Sequence, residues 1–314
     1  MLSLLGGIFL GWSLGANDAS NVFGTAVSSR MIKFWTAALL ASFFVIAGAL
    51  VSGRPGIETL KGLTTFKLEH AVIISIAAAL TVTVMTVMAL PVSASQAVIG
   101  GILGIGILNK QIYLSGLGKV ILCWVGTPTG AALIAFCTYY ALGRLYNHLR
   151  FTIFNADILI RTCMIIAGSY GAYALGANNV ANVTAVFVGA GTLSVFNAAL
   201  IGGASIALGI LTFSRPVMET VGRRLIELDP FSALIVVLSL AITVHIYALI
   251  GVPVSTSQAV IGGVLGIGII KGVKTISRKT LRHILIAWSL TPIIACFLSM
   301  VIYFSVHLRY MPHH

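Results

Sequence analysis

Long apolar runs alternate along this chain with short polar interruptions. In the first half the runs cover 1–28, 34–52, 70–108 and 117–142; in the second they cover 160–190, 196–213, 231–270 and 284–306. About twenty apolar residues carry a helix across a bilayer, so runs of this length predict membrane-spanning helices. The runs 70–108 and 231–270 are too long for one crossing, and each is broken by a polar segment. Each must go in and come back, either as two crossings or as a re-entrant hairpin, and we take the hairpin. The runs 1–28 and 160–190 are interrupted at Gly15-Ala16-Asn17-Asp18-Ala19-Ser20-Asn21 and at Gly176-Ala177-Asn178-Asn179-Val180-Ala181-Asn182. Glycine there predicts local unwinding of a helix.

The interruptions repeat. Pro91 to Ile107 and Pro253 to Ile269 are identical at fifteen of seventeen positions. The segments from Gly15 and Gly176 form a second pair, and Trp124-x-x-Thr127-Pro128 with Trp288-x-x-Thr291-Pro292 forms a weaker third. The chain is therefore a duplicated unit, 1–150 and 151–314. Each half crosses an odd number of times, so the second copy is inserted upside down. The expected fold is all-α, a polytopic membrane protein of two inverted-topology repeats with broken helices and paired re-entrant hairpins. Such paired interruptions point to a substrate site at the repeat interface.

Basic residues test the orientation independently. With the amino terminus outside, the cytoplasmic loops around 29–33, 143–161, 214–229 and 271–283 hold 13 Lys and Arg residues, against 6 outside. Positive-inside bias thus favours a multi-pass protein of the cell (inner) membrane with both termini outside.

Composition agrees. Hydrophobic residues make up 58% of the chain and charged residues 8%, and mean hydropathy is +1.05. A soluble protein of this size needs far more surface charge. No polar stretch is long enough for a separate soluble domain. The first run lacks a basic leader and carries Asn17 and Asp18, so it reads as part of the mature fold rather than as a signal peptide. The net charge of +12 does not mark a nucleic-acid binder, because the cations sit in short loops without a basic aromatic stripe. The four cysteines lie in apolar spans without CxxC spacing and read as small packing residues.

The polar segments carry the chemistry. A carboxylate in a membrane span costs at least ~2.5–3.5 kcal/mol, so Asp18 must face a cavity or a partner. Asn17, Asp18, Asn178 and Asn179 offer hard oxygen ligands for Na⁺, with Asp18, Asn17 and Asn178 as the metal-ligand set; Asp18 is alternatively a proton carrier. The segment Pro-Val-Ser-x-Ser-Gln reads differently. Proline stops one helix and Ser93 or Ser255 caps the next. A helix start inside the membrane presents free N–H groups and a positive dipole end, both suited to an anion. Ser93, Ser95, Gln96, Ser255, Thr256, Ser257 and Gln258, with Asn21 and Asn182, add neutral donors. Glycines 100, 101, 104, 106, 262, 263, 266 and 268 predict close packing of the hairpin arms.

Other polar residues read as structural. His245 has Thr83 as its repeat equivalent and is expected to be hydrogen-bonded to a neighbour. Each Thr-Pro pair predicts a kink, with the threonine covering a freed carbonyl. Glu219, Glu227 and Asp229 read as solvated loop charges. Nothing resembles a phosphate-binding loop, a zinc cluster or a nucleophile elbow, so an enzyme is not expected.

The paired G-A-N-D-x-x-N and P-V-S-x-S-Q segments resemble those of the inorganic phosphate transporter (PiT) family of secondary carriers, which includes sulfate permeases. The resemblance runs from Gly15 to the last Thr-Pro. It implies symport of inorganic phosphate (or sulfate) with Na⁺ or H⁺, and no bound cofactor. Partners are then the anion, the coupling ion and the lipid bilayer, with a homodimer left open and no nucleic acid. Asn17, Asp18, Asn21, Asn178, Asn179 and Asn182 would serve cation and phosphate, and the serine–glutamine segments would make the hairpin contacts. Asn179 departs from the family, which commonly repeats the Asp there, and Gln96 and Gln258 replace a frequent His. These departures leave the coupling stoichiometry open and favour Na⁺ over H⁺. A passive anion channel is the alternative of a different class.

Overall fold

The computed structural model describes residues 2–63, 67–87, 92–111, 114–149, 152–224, 228–272 and 278–308. After a 3₁₀ turn at Leu2–Leu4 come eleven helices among the described residues: α1 Leu5–Ser28, α2 Phe34–Ser52, α3 Arg54–Lys61, α4 Leu68–Val87, α5 Ala94–Leu108, α6 Leu114–His148, α7 Ile153–Gly189, α8 Val195–Arg224, α9 Pro230–Ile250, α10 Thr256–Lys271 and α11 Arg278–Leu308. Seven of these, α2, α4, α6, α7, α8, α9 and α11, are long and apolar enough to cross a membrane; α5 and α10 are shorter apolar helices. The protein is a multi-pass membrane protein. Large side chains such as Phe43, Leu122, Leu133, Ile293 and Phe297 stay exposed on the helix exteriors, as lipid contact requires.

The repeat is visible in the packing. By sequence, α1, α2, α4, α5 and α6 correspond to α7, α8, α9, α10 and α11. Helix α1 packs on α8 while α2 packs on α7, and α5 packs on α11 while α6 packs on α10. The halves are interlaced, each completing the other. Glycine permits the approach. A Cβ at Gly15 would overlap the backbone of Ile206, and one at Gly176 that of Val45; Gly48 and Gly209 meet Tyr173 and Trp12 in the same way. Backbones this close are the usual device of helix association in lipid.

These contacts correct the expectation of unwinding at Gly15 and Gly176. Helices α1 and α7 run without a break through both Asn-rich segments. The missing Cβ serves a neighbouring helix rather than a bend. The breaks lie instead in the hairpins α4–α5 and α9–α10. Helix α9 is ended by Gly251, which adopts the left-handed conformation at φ 80°, with Val252 N–H bonded back to the Tyr247 carbonyl at 2.9 Å. Glycine therefore stops this helix, and Pro253 follows it. The corresponding Pro91 lies outside the described residues. The hairpin glycines also face mostly outward: Gly100 and Gly104 meet Pro292 and Cys296 of α11, and Gly262 and Gly266 meet Pro128 and Ala132 of α6. Gly101 and Gly263 do pack within their own hairpins, against Ile74 and against Ser239 and Val236.

Two smaller readings change as well. Thr127 and Thr291 donate to the carbonyls of Cys123 and Ala287 at 2.6 and 2.7 Å. The carbonyls left without a helix donor by Pro128 and Pro292 are those of Trp124 and Trp288, so the threonines cover their neighbours. Asp229 is more than a solvated charge. It caps α9, accepting from Ser232 N–H at 3.0 Å, and pairs with Lys271 at the end of α10. Glu227 lies outside the described residues.

Candidate functional site

Helices α1 and α7 bring their Asn-rich segments against the starts of α5 and α10. Ser93 and Ser255 cap those helices, their hydroxyls accepting from the backbone N–H of Gln96 at 3.4 Å and Gln258 at 3.3 Å. Each cap residue is extended, so the chain enters the helix from a non-helical segment. Two positive helix ends thus begin in the polar centre of the protein.

Eleven of the thirteen residues singled out by sequence make side-chain hydrogen bonds here, while Gln96 and Gln258 take part through their backbone N–H groups. Asp18 is 7% exposed and accepts a hydrogen bond from Asn179 Nδ2 at 2.8 Å, with the Thr256 hydroxyl as a further hydrogen-bond neighbour. These two residues occupy the same position in the two repeats, so the contact straddles the internal symmetry axis. Asn179 Oδ1 in turn accepts from Asn178 Nδ2 at 3.0 Å and from Asn182 Nδ2 at 3.1 Å. Asn182 also donates to Ser95 Oγ at 3.0 Å, and Ser95 donates to the Val254 carbonyl at 2.9 Å. Asn178 grips that same residue twice: its Nδ2 donates to Val254 O and its Oδ1 accepts from Val254 N, both at 2.8 Å. On the other side, Asn21 donates to Thr256 Oγ1 at 3.1 Å and Asn17 to Thr86 Oγ1 at 3.0 Å. Ser257 shares a hydrogen with Ser255 at 2.9 Å and donates to the Val92 carbonyl at 3.2 Å.

The network leaves some acceptors open. Gln96 Oε1, Gln258 Oε1 and Asn182 Oδ1 are buried and make no hydrogen bond. Buried carbonyl oxygens normally find a partner, and open amide oxygens of this kind suit a hard monovalent cation, which takes carboxylate and amide oxygens. Among the described residues no group of three His, Cys, Asp or Glu side chains gathers to hold a metal. The hydroxyls and the helix starts suit an oxyanion. Asn17, Asn21 and Ser257 are half-buried, whereas Asn178, Asn182 and Ser95 are buried; the centre is less covered on the α1 side.

Sequence reading missed Thr86 and the backbone of Val92 and Val254. Thr86 had a signal, because Thr83 and Thr86 are three residues apart on one face of α4, and Thr83 shares a hydrogen with Ser13 of α1 at 3.3 Å. A valine carbonyl leaves none. His245 is where a structural histidine belongs, its Nδ1 on the Tyr170 hydroxyl at 2.8 Å, and the four cysteines are free.

Comparison with known proteins bears on the family and the fold. The Phosphate transporter family matches residues 14–299. A protein of Methanocaldococcus jannaschii named "Putative phosphate permease" is 32% identical over 96% of both chains. The sulfate permease of Bacillus subtilis is 29% identical over 95% of this chain and 86% of its own. A solved structure of a sodium-dependent phosphate transporter has the same fold, with a TM-score of 0.87 at 23% identity over 98% of both chains. With that match spanning both Asn-rich helices and both hairpin breaks, the chain belongs to the Phosphate transporter family.

Proposed function

We propose that the protein is a secondary active transporter that carries inorganic phosphate together with Na⁺ by alternating access. One observation carries this reading: two capped helix starts and the Asp18–Asn179 contact meet in one buried polar centre, each element supplied by both repeats. Ser93, Ser95, Gln96, Ser255, Thr256, Ser257 and Gln258, with Asn21 and Asn182, bind the anion through hydroxyls, amides and helix N–H groups. Asn17, Asp18, Asn178 and Asn179 belong to the cation side, with Asp18 as the charged ligand. A cation beside the anion offsets its charge where water is scarce, and this mutual dependence supplies the coupling. The site lies between the repeats 1–150 and 151–314, and alternating access moves one set of elements around it, in a cell membrane with both termini outside.

The experiment is uptake of labelled phosphate and labelled sulfate into proteoliposomes, with Na⁺ and proton gradients varied separately. Phosphate accumulation driven by Na⁺ is expected. Sulfate as the better substrate would move the protein to the second reading, which the Bacillus subtilis relative supports. Flux without accumulation would make it a channel. Asp18→Asn should lower Na⁺-driven uptake about tenfold to a hundredfold, the worth of one buried charged interaction, while the protein still inserts. Unchanged Na⁺ stimulation would remove Asp18 from the mechanism.

A further inference from the structure

Asp18 and Asn179 hold the same place in the two repeats and touch each other, yet one is a carboxylate and the other an amide. The orientation of that amide is fixed by its surroundings. Its oxygen receives two donors, Asn178 Nδ2 and Asn182 Nδ2, so its nitrogen is the atom turned to Asp18. Flipping it would set the NH₂ group against two other NH₂ groups and an oxygen against a carboxylate. Asn178, Asn179 and Asn182 are each 1% exposed, so solvent cannot take over either role. A carboxylate at 179 in this pose would keep one oxygen on the two asparagines and press the other against Asp18 Oδ2. Two carboxylates so placed do not both ionise unaided; a cation or a proton has to lie between them.

We propose that the Asn179 amide stands in the place of a coupling cation. Its N–H gives Asp18 the positive partner that a bound ion would give in a site with a carboxylate in both repeats, and the transport cycle therefore takes one cation fewer than that symmetric site would. Asn179 is thus the residue that sets the coupling ratio. The buried open oxygens of Gln96, Gln258 and Asn182 remain for the ion that does bind. The inference rests on the cation-coupled reading above.

The test compares wild type, Asn179→Asp, Asn179→Ser and Asp18→Asn/Asn179→Asp in two measurements. In proteoliposomes, the order of phosphate uptake in Na⁺ should rise by about one in Asn179→Asp and return to the wild-type order in the double variant, which moves the single carboxylate to the other repeat. In detergent without phosphate, the thermal midpoint should rise more steeply with log[Na⁺] in Asn179→Asp than in wild type, because more ions bind the folded state. Asn179→Ser removes the amide without adding charge and should also steepen that slope, which keeps the test decisive where the aspartate variant does not fold. Equal slopes in wild type and both single variants overturn the proposal. So does an Asn179→Asp protein that gains pH dependence at unchanged Na⁺ order, since a proton would then bridge the pair. Wild type that moves neither anion defeats the transport reading instead, and the detergent series still decides the role of Asn179.

Discussion

The two hairpins share fifteen of seventeen residues across Pro91–Ile107 and Pro253–Ile269, yet they are held differently. The α9–α10 break is gripped by Asn178 at both the N–H and the carbonyl of Val254. The equivalent Asn17 bonds Thr86 of α4 instead of the backbone of Val92. At the open ends of the hairpins, Asp229 joins α9 to Lys271 of α10. The first half has Lys67 and Asn109 at those positions, and among the described residues no ion pair joins α4 to α5. Helix α3 adds to the difference, because the Pro55 carbonyl would meet a Cβ at Gly251 at 2.9 Å. Among the described residues these ties hold the second hairpin and have no counterpart in the first. In a nearly symmetric chain such a bias selects one of two related arrangements, and a difference of a few kcal/mol is enough to populate one of them.

Substitutions can break this comparison. The largest effect is expected from Asn178→Ala, which removes both bonds to Val254 and strands its buried N–H; about 2–4 kcal/mol should be lost, read as a lowered thermal midpoint. Asn17→Ala removes one half-exposed bond to a threonine and should cost about 1 kcal/mol. Equal losses in the two variants would show that the hairpins are held alike. The smallest effect concerns Asp229. Partial burial raises its pKa, but Lys271 and Ser232 outweigh this and leave it below the usual value. A depressed folded pKa contributes stability above the unfolded value near ~4 and loses it as pH falls through the folded value. Asp229→Asn should therefore cost about 1 kcal/mol or less at neutral pH, because the pair is partly solvated. The gap between variant and wild type should close on acidification. A gap that persists at low pH would assign the effect to the cap alone.

Much of this architecture could be read from the sequence. Run lengths marked the spans, and the duplicated serine–glutamine segments marked both capped helix starts. Asp18 drew attention because a carboxylate in an apolar run demands a partner. What escaped depended on a second chain segment. Gly15 and Gly176 signalled backbone freedom, but whether that freedom bends a helix or admits a neighbour is decided by Ile206 and Val45, about 190 and 130 residues away. The grip of Asn178 on Val254 was hidden because its target is a main-chain amide, which every residue has. The Trp-x-x-Thr-Pro pair promised covered carbonyls, and the threonine hydroxyls went one residue astray because a helical threonine reaches the carbonyl four residues before itself.

The interlacing of α1 with α8, α2 with α7, α5 with α11 and α6 with α10 bears on how the protein is made. Synthesis delivers the amino-terminal helices first, with glycine faces shaped for surfaces that do not yet exist. Gly100 and Gly104 wait for α11, which leaves the ribosome almost two hundred residues after them. The first hairpin therefore stays incomplete until α11 arrives, and losing α11 would undo it.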